Sequence, residues 1–432
     1  MDFIRWLLPG SGIKRWLLMS CFGVVIMVFG ISALCGLPNL PIGKIGILRF
    51  VNDGWEFVIP MIVTVLLAVA GAAAAVFGFD RFIKSIVKVL APKNNGGLFE
   101  NIYRERFLER GPKIVAMGGG TGLSALLRGL KEYTSNITAV VTVTDDGGSS
   151  GILKADFDVL PPGDIRDCLV ALADTESSMH DLFNYRFDKG QGLAGHSLGN
   201  LLLIAVSEMK GDFYGAVKEI AEVLAIRGRV IPSTLTKVTL CARTRNGRVI
   251  QGETKITAAG EEIEQVFLKP DVCHPPEDAL EAIMDADAVI LGPGSLYTSI
   301  IPNLLVGGVN EALDKTKAKI IYICNVMTQH GETEGYDAQG HLKALQRHLG
   351  NRKPDYIVVN VGDFPDSLLE KYRAEGSHPV KYSTRQLENM GVEVIKGSFA
   401  EKDDFIRHDS KKLARAILSK LGINNGGQDI RE

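Results

Sequence analysis

Two apolar runs open the chain. Trp16 to Gly43 and Phe57 to Phe79 contain no Asp, Glu, Lys or Arg. A helix rising ~1.5 Å per residue crosses a ~30 Å hydrocarbon core in about 20 residues, so both runs predict transmembrane helices, about 16–37 and 57–79. Ala68 to Phe79 has no polar face, which argues against a hairpin buried in a soluble domain. No small-residue site closes the first run and a second follows it, which argues against a cleaved signal. Arg81, Lys84 and Lys88 then recur three and four apart among Phe82, Ile83, Ile86 and Val87, the pattern of a basic interfacial helix. Pro92 to Gly97 begins a linker, and the next domain starts near residue 111.

From there the periodicity alternates between strand and helix. Ile114 to Met117 is a continuous apolar run, as in a parallel strand buried on both faces. Leu123, Leu126, Leu127 and Leu130 lie on one helical face. Ile137 to Thr144, Ala288 to Leu291, Lys319 to Asn325, Tyr356 to Val361 and Val392 to Ile395 extend the strand series. Arg229 to Val266 instead shows short alternating runs, with Asn246-Gly247 as a hairpin turn and Glu253 to Ile256 as one run. The pattern predicts an α/β fold: a Rossmann-like, doubly wound, mostly parallel sheet with a helical and antiparallel β insertion, preceded by a transmembrane helical hairpin. Its expected divisions are an anchor (1–91), a linker (92–110), the Rossmann-like domain (111–422, insertion about 152–275) and a disordered tail (423–432).

Charge orients the hairpin. Arg5, Lys14 and Arg15 precede the first run and Arg81, Lys84, Lys88 and Lys93 follow the second, which places both ends and the main domain in the cytoplasm. The net charge of −2 over 432 residues gives no electrostatic footprint for nucleic acid. Cysteines at 21, 35, 168, 241, 273 and 324 have no metal-like spacing and read as reduced thiols.

Candidate chemistry collects at predicted strand ends. After the first strand, Gly119, Gly120, Thr121 and Gly122 open a helix whose free N–H groups and dipole suit an anion. Gly120 to Ala125 also satisfies G-x-G-x-x-A, and Asp145 and Asp146 end the second strand where a ribose hydroxyl would be held. With Gly148, Ser149 and Ser150 these acids form a loop fit for an anion, for a divalent cation bridging phosphates, or for a solvated turn. Asp164 reads as a helix cap or a pocket residue, and Arg166 as a surface partner of Asp167 or a pocket residue. His196 and Asn200, four apart, interrupt an apolar helix start that Ser197 can cap. Gly292, Gly294, Ser295 and Tyr297 repeat the strand-to-glycine turn and suggest the opposite wall of one crevice. Asn325 ends a further strand, and Arg407 precedes the last helix as a surface charge or an anion ligand. No nucleophile stands beside a base, which disfavours covalent catalysis.

Six motifs in order carry a resemblance: Gly118-Gly-Gly-Thr-Gly122, Thr144-Asp-Asp-Gly-Gly-Ser-Ser-Gly151, Pro162-Gly-Asp-Ile-Arg166, Gly195-His-Ser-Leu-Gly-Asn200, Gly292-Pro-Gly-Ser-Leu-Tyr297 and Cys324-Asn-Val-Met-Thr-Gln329. The stretch from about Lys113 to Gly422 resembles the superfamily of 2-phospho-L-lactate transferase and the bacterial gluconeogenesis factors, called YvcK-like. Gly252-Glu-Thr-Lys-Ile256 and Gln329 to Tyr336 resemble the gluconeogenesis factor branch. That branch implies a regulatory protein that binds a UDP-sugar, such as UDP-N-acetylglucosamine or UDP-glucose, needs no cofactor, and links central carbon metabolism to cell-wall morphogenesis. Cell-wall-synthesis proteins and a homo-oligomer are its expected partners. The transferase branch implies Mg²⁺-dependent transfer of a phospholactyl group from a guanosine diphosphate conjugate to a deazaflavin. By this resemblance Gly119 to Gly122 hold a diphosphate, Asp145 and Asp146 lie near metal and acceptor, and Asn200, Gly294 and Asn325 line the remaining pocket. Residues 1 to about 110 fall outside it.

Overall fold

The computed structural model describes residues 13–34, 58–90, 106–174, 176–362, 364–402 and 406–422. The chain divides into two units, 1–104 and 105–432.

In the first unit Ile13–Leu34 and Val58–Leu90 form an antiparallel helical pair. Gly23 and Gly30, like Gly71 and Gly78, are seven residues apart and so share a helix face, where they let the backbones meet. A Cβ on Gly23 would stand 2.4 Å from the Ala75 nitrogen, and one on Gly71 2.4 Å from the Met27 nitrogen. Ser20 Oγ adds a hydrogen bond to the Ala75 carbonyl at 3.0 Å. Leu18, Phe22, Val25, Leu66 and Val76 are exposed. Both helices are therefore long and apolar enough to cross a membrane, over Arg15–Ala33 and Ile62–Ser85. The basic segment is not a separate helix: Arg81 and Lys84 continue the second helix, which runs unbroken to Leu90. The segment 35–57 between the two helices, most of the linker and the tail lie outside the described residues.

The second unit is built on a seven-stranded parallel sheet. Its strands are β1 (Ile114–Gly118), β2 (Ile137–Val141), β3 (Arg229–Pro232), β7 (Ala288–Leu291), β8 (Lys319–Ile323), β9 (Tyr356–Asn360) and β10 (Glu393–Gly397). Between β3 and β7 the chain forms a separate antiparallel sheet of β4 (Thr239–Thr244), β5 (Val249–Gln251) and β6 (Ile263–Lys269). β11 (Ala400–Lys402) and β12 (Ile406–His408) form an antiparallel ribbon. The spatial order is β10-β9-β8-β7-β1-β2-β3, with all neighbours parallel. Central strands β1, β2 and β7 are buried at every position, which is why they read as unbroken apolar runs.

The order contains one reversal that places the site. From β1 the chain builds outward through β2 to β3, then returns to the other side of β1 and builds outward again from β7 to β10. In an open α/β sheet ligands bind beyond the carboxyl ends of the strands at such a switch point, here between β1 and β7.

Two local expectations change. Arg229–Pro232, read as part of the antiparallel segment, is the edge strand of the main sheet, Thr138 to Val141 pairing with Arg229 to Pro232. Glu253 to Ile256, read as a strand, is the start of the helix Glu253–Ala259. Gly252, at φ 98°, breaks the alternation, and Thr254 is fastened to Asp146.

Candidate functional site

The two glycine turns meet at the switch point, and they touch backbone to backbone. A Cβ on Gly122 would lie 2.7 Å from the Pro293 carbonyl oxygen, and one on Gly294 3.3 Å from the Gly119 carbonyl oxygen. Asn303, fully buried, donates to the Gly118 carbonyl at 3.3 Å and so steadies the end of β1. Gly120 differs from its neighbours: it adopts φ 63° and has nothing within 4 Å of where a Cβ would stand. It is the loop residue that faces open space, at the N-terminus of the helix Gly120–Leu130. Ser124 Oγ turns back to the Thr121 carbonyl at 3.0 Å.

A set of carboxyls converges on this turn. Asp164 sits against it, with Oδ2 2.5 Å from the place a Gly119 Cβ would occupy, and accepts the Gly120 N–H. Of the two roles open to Asp164 from sequence, a cap on its own helix is not the one seen, because the helix Gly163–Leu172 has no side-chain cap. Burial, then the neighbouring Asp145, raises its pKa to about 7. Glu253 enters from the insertion, and burial followed by Asp145 and Asp164 raises it to about 9. Glu332 is buried, accepts from Thr298 Oγ1 at 3.0 Å and the Tyr297 N–H at 3.3 Å, and is raised to about 7 chiefly by burial. Thr144 Oγ1 bridges the two regions, 3.3 Å from both Glu253 Oε2 and the Thr298 carbonyl. Four segments distant in sequence thus place Asp145, Asp164, Glu253 and Glu332 in one electrostatic neighbourhood.

Asp145 and Asp146, adjacent in sequence, face different tasks. Asp145 Oδ1 accepts the Gly147 N–H at 2.9 Å, and its charge acts on Asp164 and Glu253. Asp146 Oδ1 accepts both the N–H (2.9 Å) and the hydroxyl (2.7 Å) of Thr254, which latches the insertion to the loop. Among the described residues no three His, Cys, Asp or Glu side chains are grouped to enclose a metal ion. One or two carboxylates suffice for Mg²⁺ when phosphates and waters complete its shell. Each of the three aspartates already accepts a hydrogen bond, Asp145 from the Gly147 N–H, Asp146 from Thr254 and Asp164 from the Gly120 N–H, so a cation there would share carboxylates that also fasten the loops.

Ser149, Arg166, His196 and Asn200 come together as a buried polar strut. Arg166 donates through NH1 to Ser197 Oγ (2.7 Å) and Asn200 Oδ1 (2.9 Å), while NH2 pairs with Asp167 at 2.6 Å. Asn200 Nδ2 donates to Ser149 Oγ at 3.1 Å, and Ser149 Oγ lies 2.9 Å from His196 Nδ1. A serine beside a histidine is a pair that a separation of 47 positions conceals in the sequence. Both are buried and the serine oxygen is already a hydrogen-bond acceptor, so the pair braces the loop rather than presenting a nucleophile. Ser197 caps the helix Leu198–Lys210, as its position suggested. Truncating Arg166 to leucine would remove the donor to two buried acceptors, Ser197 Oγ and Asn200 Oδ1, and leave the half-buried Asp167 carboxylate without its cation, and unfolding in urea is expected to show a loss of about 2–4 kcal/mol. A wild-type midpoint in that variant would contradict the bracing role.

The other predicted residues are more dispersed. Ser295, Gln329 and Asn325 form a hydrogen-bonded chain, at 2.8 and 3.1 Å, that follows the second glycine turn. Tyr297 is fully buried, its hydroxyl 3.0 Å from that of Tyr336, so its side chain belongs to the core. Gly148 is exposed at φ 45° with open space beside it, and Ser150 is buried against the position of a Gly163 Cβ. Arg407 is exposed on β12 in the ribbon. Glu253 carries no site signal in the sequence, although the motif containing it is visible, while Glu332 falls among the polar groups close behind Asn325 at a strand end.

Neither of two cavities among the described residues is lined by the glycine turns themselves. One of about 380 Å³, at the amino edge of the sheet, includes Lys113, Asn136, Arg229 and Asp285 in its lining. The other, about 350 Å³, touches Asp146, Lys154 and Lys237. The first is at the wrong end of the strands for a switch-point ligand.

The geometry defines a doubly wound α/β protein in which two opposed glycine turns meet at the switch point, with four carboxyls in their neighbourhood. The sequence profile of the family described as 2-phospho-L-lactate transferase CofD matches residues 114–400, and the chain belongs to that family. Within it, the similarity is to gluconeogenesis factors. The gluconeogenesis factor of Bacillus subtilis is 50% identical over 311 residues, 72% of this chain and 98% of the relative. A Clostridium acetobutylicum relative, for which that name is provisional, is 41% identical over 432 residues, 98% of this chain and 92% of its own, so its alignment includes the apolar helices. A crystal structure of a Bacillus halodurans protein is 46% identical with a TM-score of 0.70, covering 72% of this chain and 100% of that one.

Proposed function

We propose that the chain is a membrane-anchored, cytoplasm-facing regulatory protein that binds a UDP-sugar at the switch point and couples carbon metabolism to cell-wall morphogenesis. The observation that carries the ligand class is Gly120: a positive-φ residue facing open space at a helix start, flanked by turns that can approach no closer. Backbone N–H groups there suit a diphosphate. The choice of uridine and sugar rests on the resemblance to the gluconeogenesis factor branch. Asp164 accepts the Gly120 N–H, so an incoming diphosphate meets a carboxylate. Protonation of that group near neutral pH, or a Mg²⁺ ion between them, removes the repulsion. The two long apolar helices, with exposed apolar side chains on the faces turned away from each other, support the anchor.

The Asp145 and Asp164 pair favours a second reading, a Mg²⁺-dependent transferase acting on a nucleoside diphosphate conjugate. Bound Mg²⁺ would supply charge stabilisation at the phosphoryl oxygens. The chain's own part would be to orient the diphosphate on the Gly120 helix and hold protons at the Asp164 and Glu253 carboxyls. Calorimetric titration of the full chain with UDP-N-acetylglucosamine, UDP-glucose and GDP, with and without Mg²⁺, separates the readings when the ligand is weighed afterwards. Uridine preference with intact ligand is the expected result. Guanosine preference with Mg²⁺-dependent breakdown would establish the transferase instead.

A further inference from the structure

One end of the apolar hairpin gathers two arginines on a single indole. Trp16 packs edge-on against Phe77, with ring centroids 6.0 Å apart. The Arg15 guanidinium lies 5.0 Å from the Trp16 ring, and Arg81, from the other helix, lies 5.7 Å from the same ring and 5.1 Å from Phe77. Both arginines are exposed, and among the described residues neither pairs with a carboxylate. The nearest acid in the sequence, Asp80, is bound to Lys84 at 2.8 Å. Two cations sharing one ring repel each other, and stacking on the aromatics leaves their N–H edges free. An anion between them relieves the repulsion.

Placement selects which anion. Tryptophan at the end of a span marks headgroup depth, and arginines there reach the phosphate layer. Leu18 and Phe77 are exposed just inside, where an acyl chain would lie. Guanidinium groups match phosphate oxygens in two-point contact, whereas the ammonium of a zwitterionic headgroup would be repelled. From this geometry we infer that Arg15, Trp16 and Arg81 form a binding site for the headgroup of an anionic phospholipid between the two helices. The site rests on the membrane-anchor reading and sits at the end that reading places in the cytoplasm.

The test uses the full chain carrying Trp6→Phe and Trp55→Phe, so that Trp16 is the one fluorophore of its kind. It is reconstituted in phosphatidylcholine vesicles and quenched with dibrominated phosphatidylglycerol or dibrominated phosphatidylcholine. The expected preference for the glycerol lipid is roughly five-fold or more. It should fall to near one in Arg15→Gln/Arg81→Gln, fall partly in each single variant, and persist in Lys84→Gln. Equal quenching by the two lipids in the unaltered site would overturn the inference. Loss of the preference on adding millimolar inorganic phosphate at constant ionic strength would overturn it in favour of a soluble anion. A chain that fails to float with the vesicles at all contradicts the anchor itself, an outcome distinct from floating without lipid preference.

Discussion

Gly122→Ala is expected to lower stability by about 3 kcal/mol and to abolish ligand binding, because its Cβ would press on backbone that cannot yield. The contacts are the Pro293 carbonyl oxygen at 2.7 Å, its carbon at 2.9 Å and the Gly294 nitrogen at 3.1 Å. Relief requires the two glycine turns to separate, and with them the carboxyl ends of β1 and β7. Gly120→Ala is the informative contrast. No atom lies within 4 Å of that Cβ, so the cost is the left-handed backbone alone, about 1–2 kcal/mol. The fold should survive while the methyl group intrudes on the space assigned to the diphosphate, weakening binding about ten-fold or more. All three tryptophans precede residue 56, so tyrosine circular dichroism of the detergent-solubilised chain in urea is the measurement that reports on the second unit. Equal stability and affinity in the Gly122 variant and the parent would show that the turns do not depend on each other.

The carboxyl cluster predicts a second large effect, of unusual sign. Folding raises Asp164 from 3.8 to about 7, Glu332 from 4.5 to about 7 and Glu253 from 4.5 to about 9. Between the ordinary and raised values the folded chain binds more protons than the unfolded chain, so stability falls as pH rises. The stabilising protons are all in place below pH ~4, two are lost approaching neutrality, and the Glu253 proton is lost last, near pH 9. Glu253→Gln removes the proton uptake that folding requires between the ordinary and the raised value, and the buried charge above it, while keeping the shape. It should raise stability at pH 9 by on the order of 2 kcal/mol and flatten the slope between pH 7 and 9. Mg²⁺ should stabilise the parent more at pH 8 than at pH 6, because the cation competes with protons for the same carboxyls. Urea midpoints at pH 5, 7 and 9 check both claims, and a midpoint that stays level or rises with pH would refute the cluster's energetics.

Much of this organisation is legible in the chain because its signals are local. The buried runs at Ile114 to Met117 and Ala288 to Leu291 declare central parallel strands, and glycines directly after them declare close backbone approach. Hairpin chemistry at Asn246-Gly247 likewise states its own structure, with Gly247 at φ 80° and its N–H bonded to the Thr244 carbonyl at 2.8 Å. What stays hidden depends on tertiary contact. Arg229 to Pro232 is too short a run to reveal that it pairs with β2. Glu253 reads as an exposed strand residue until Gly252 turns it into a helix that faces Asp145. The different duties of Asp145 and Asp146 are set by Thr254, more than a hundred residues away. His196 and Ser149 are joined only by the packing of the helix Gly148–Phe157 against the residues that precede the helix Leu198–Lys210.

The central claim is that a nucleoside diphosphate sugar binds between the carboxyl ends of β1 and β7. Its most direct test is a crystal structure of the full chain with UDP-N-acetylglucosamine and Mg²⁺. The account predicts diphosphate oxygens within hydrogen-bond reach of the backbone N–H groups of Gly120 to Gly122, with any metal beside Asp145 and Asp164. Ligand bound instead in the cavity of about 380 Å³ by Lys113 and Arg229, at the opposite edge of the sheet, would contradict it.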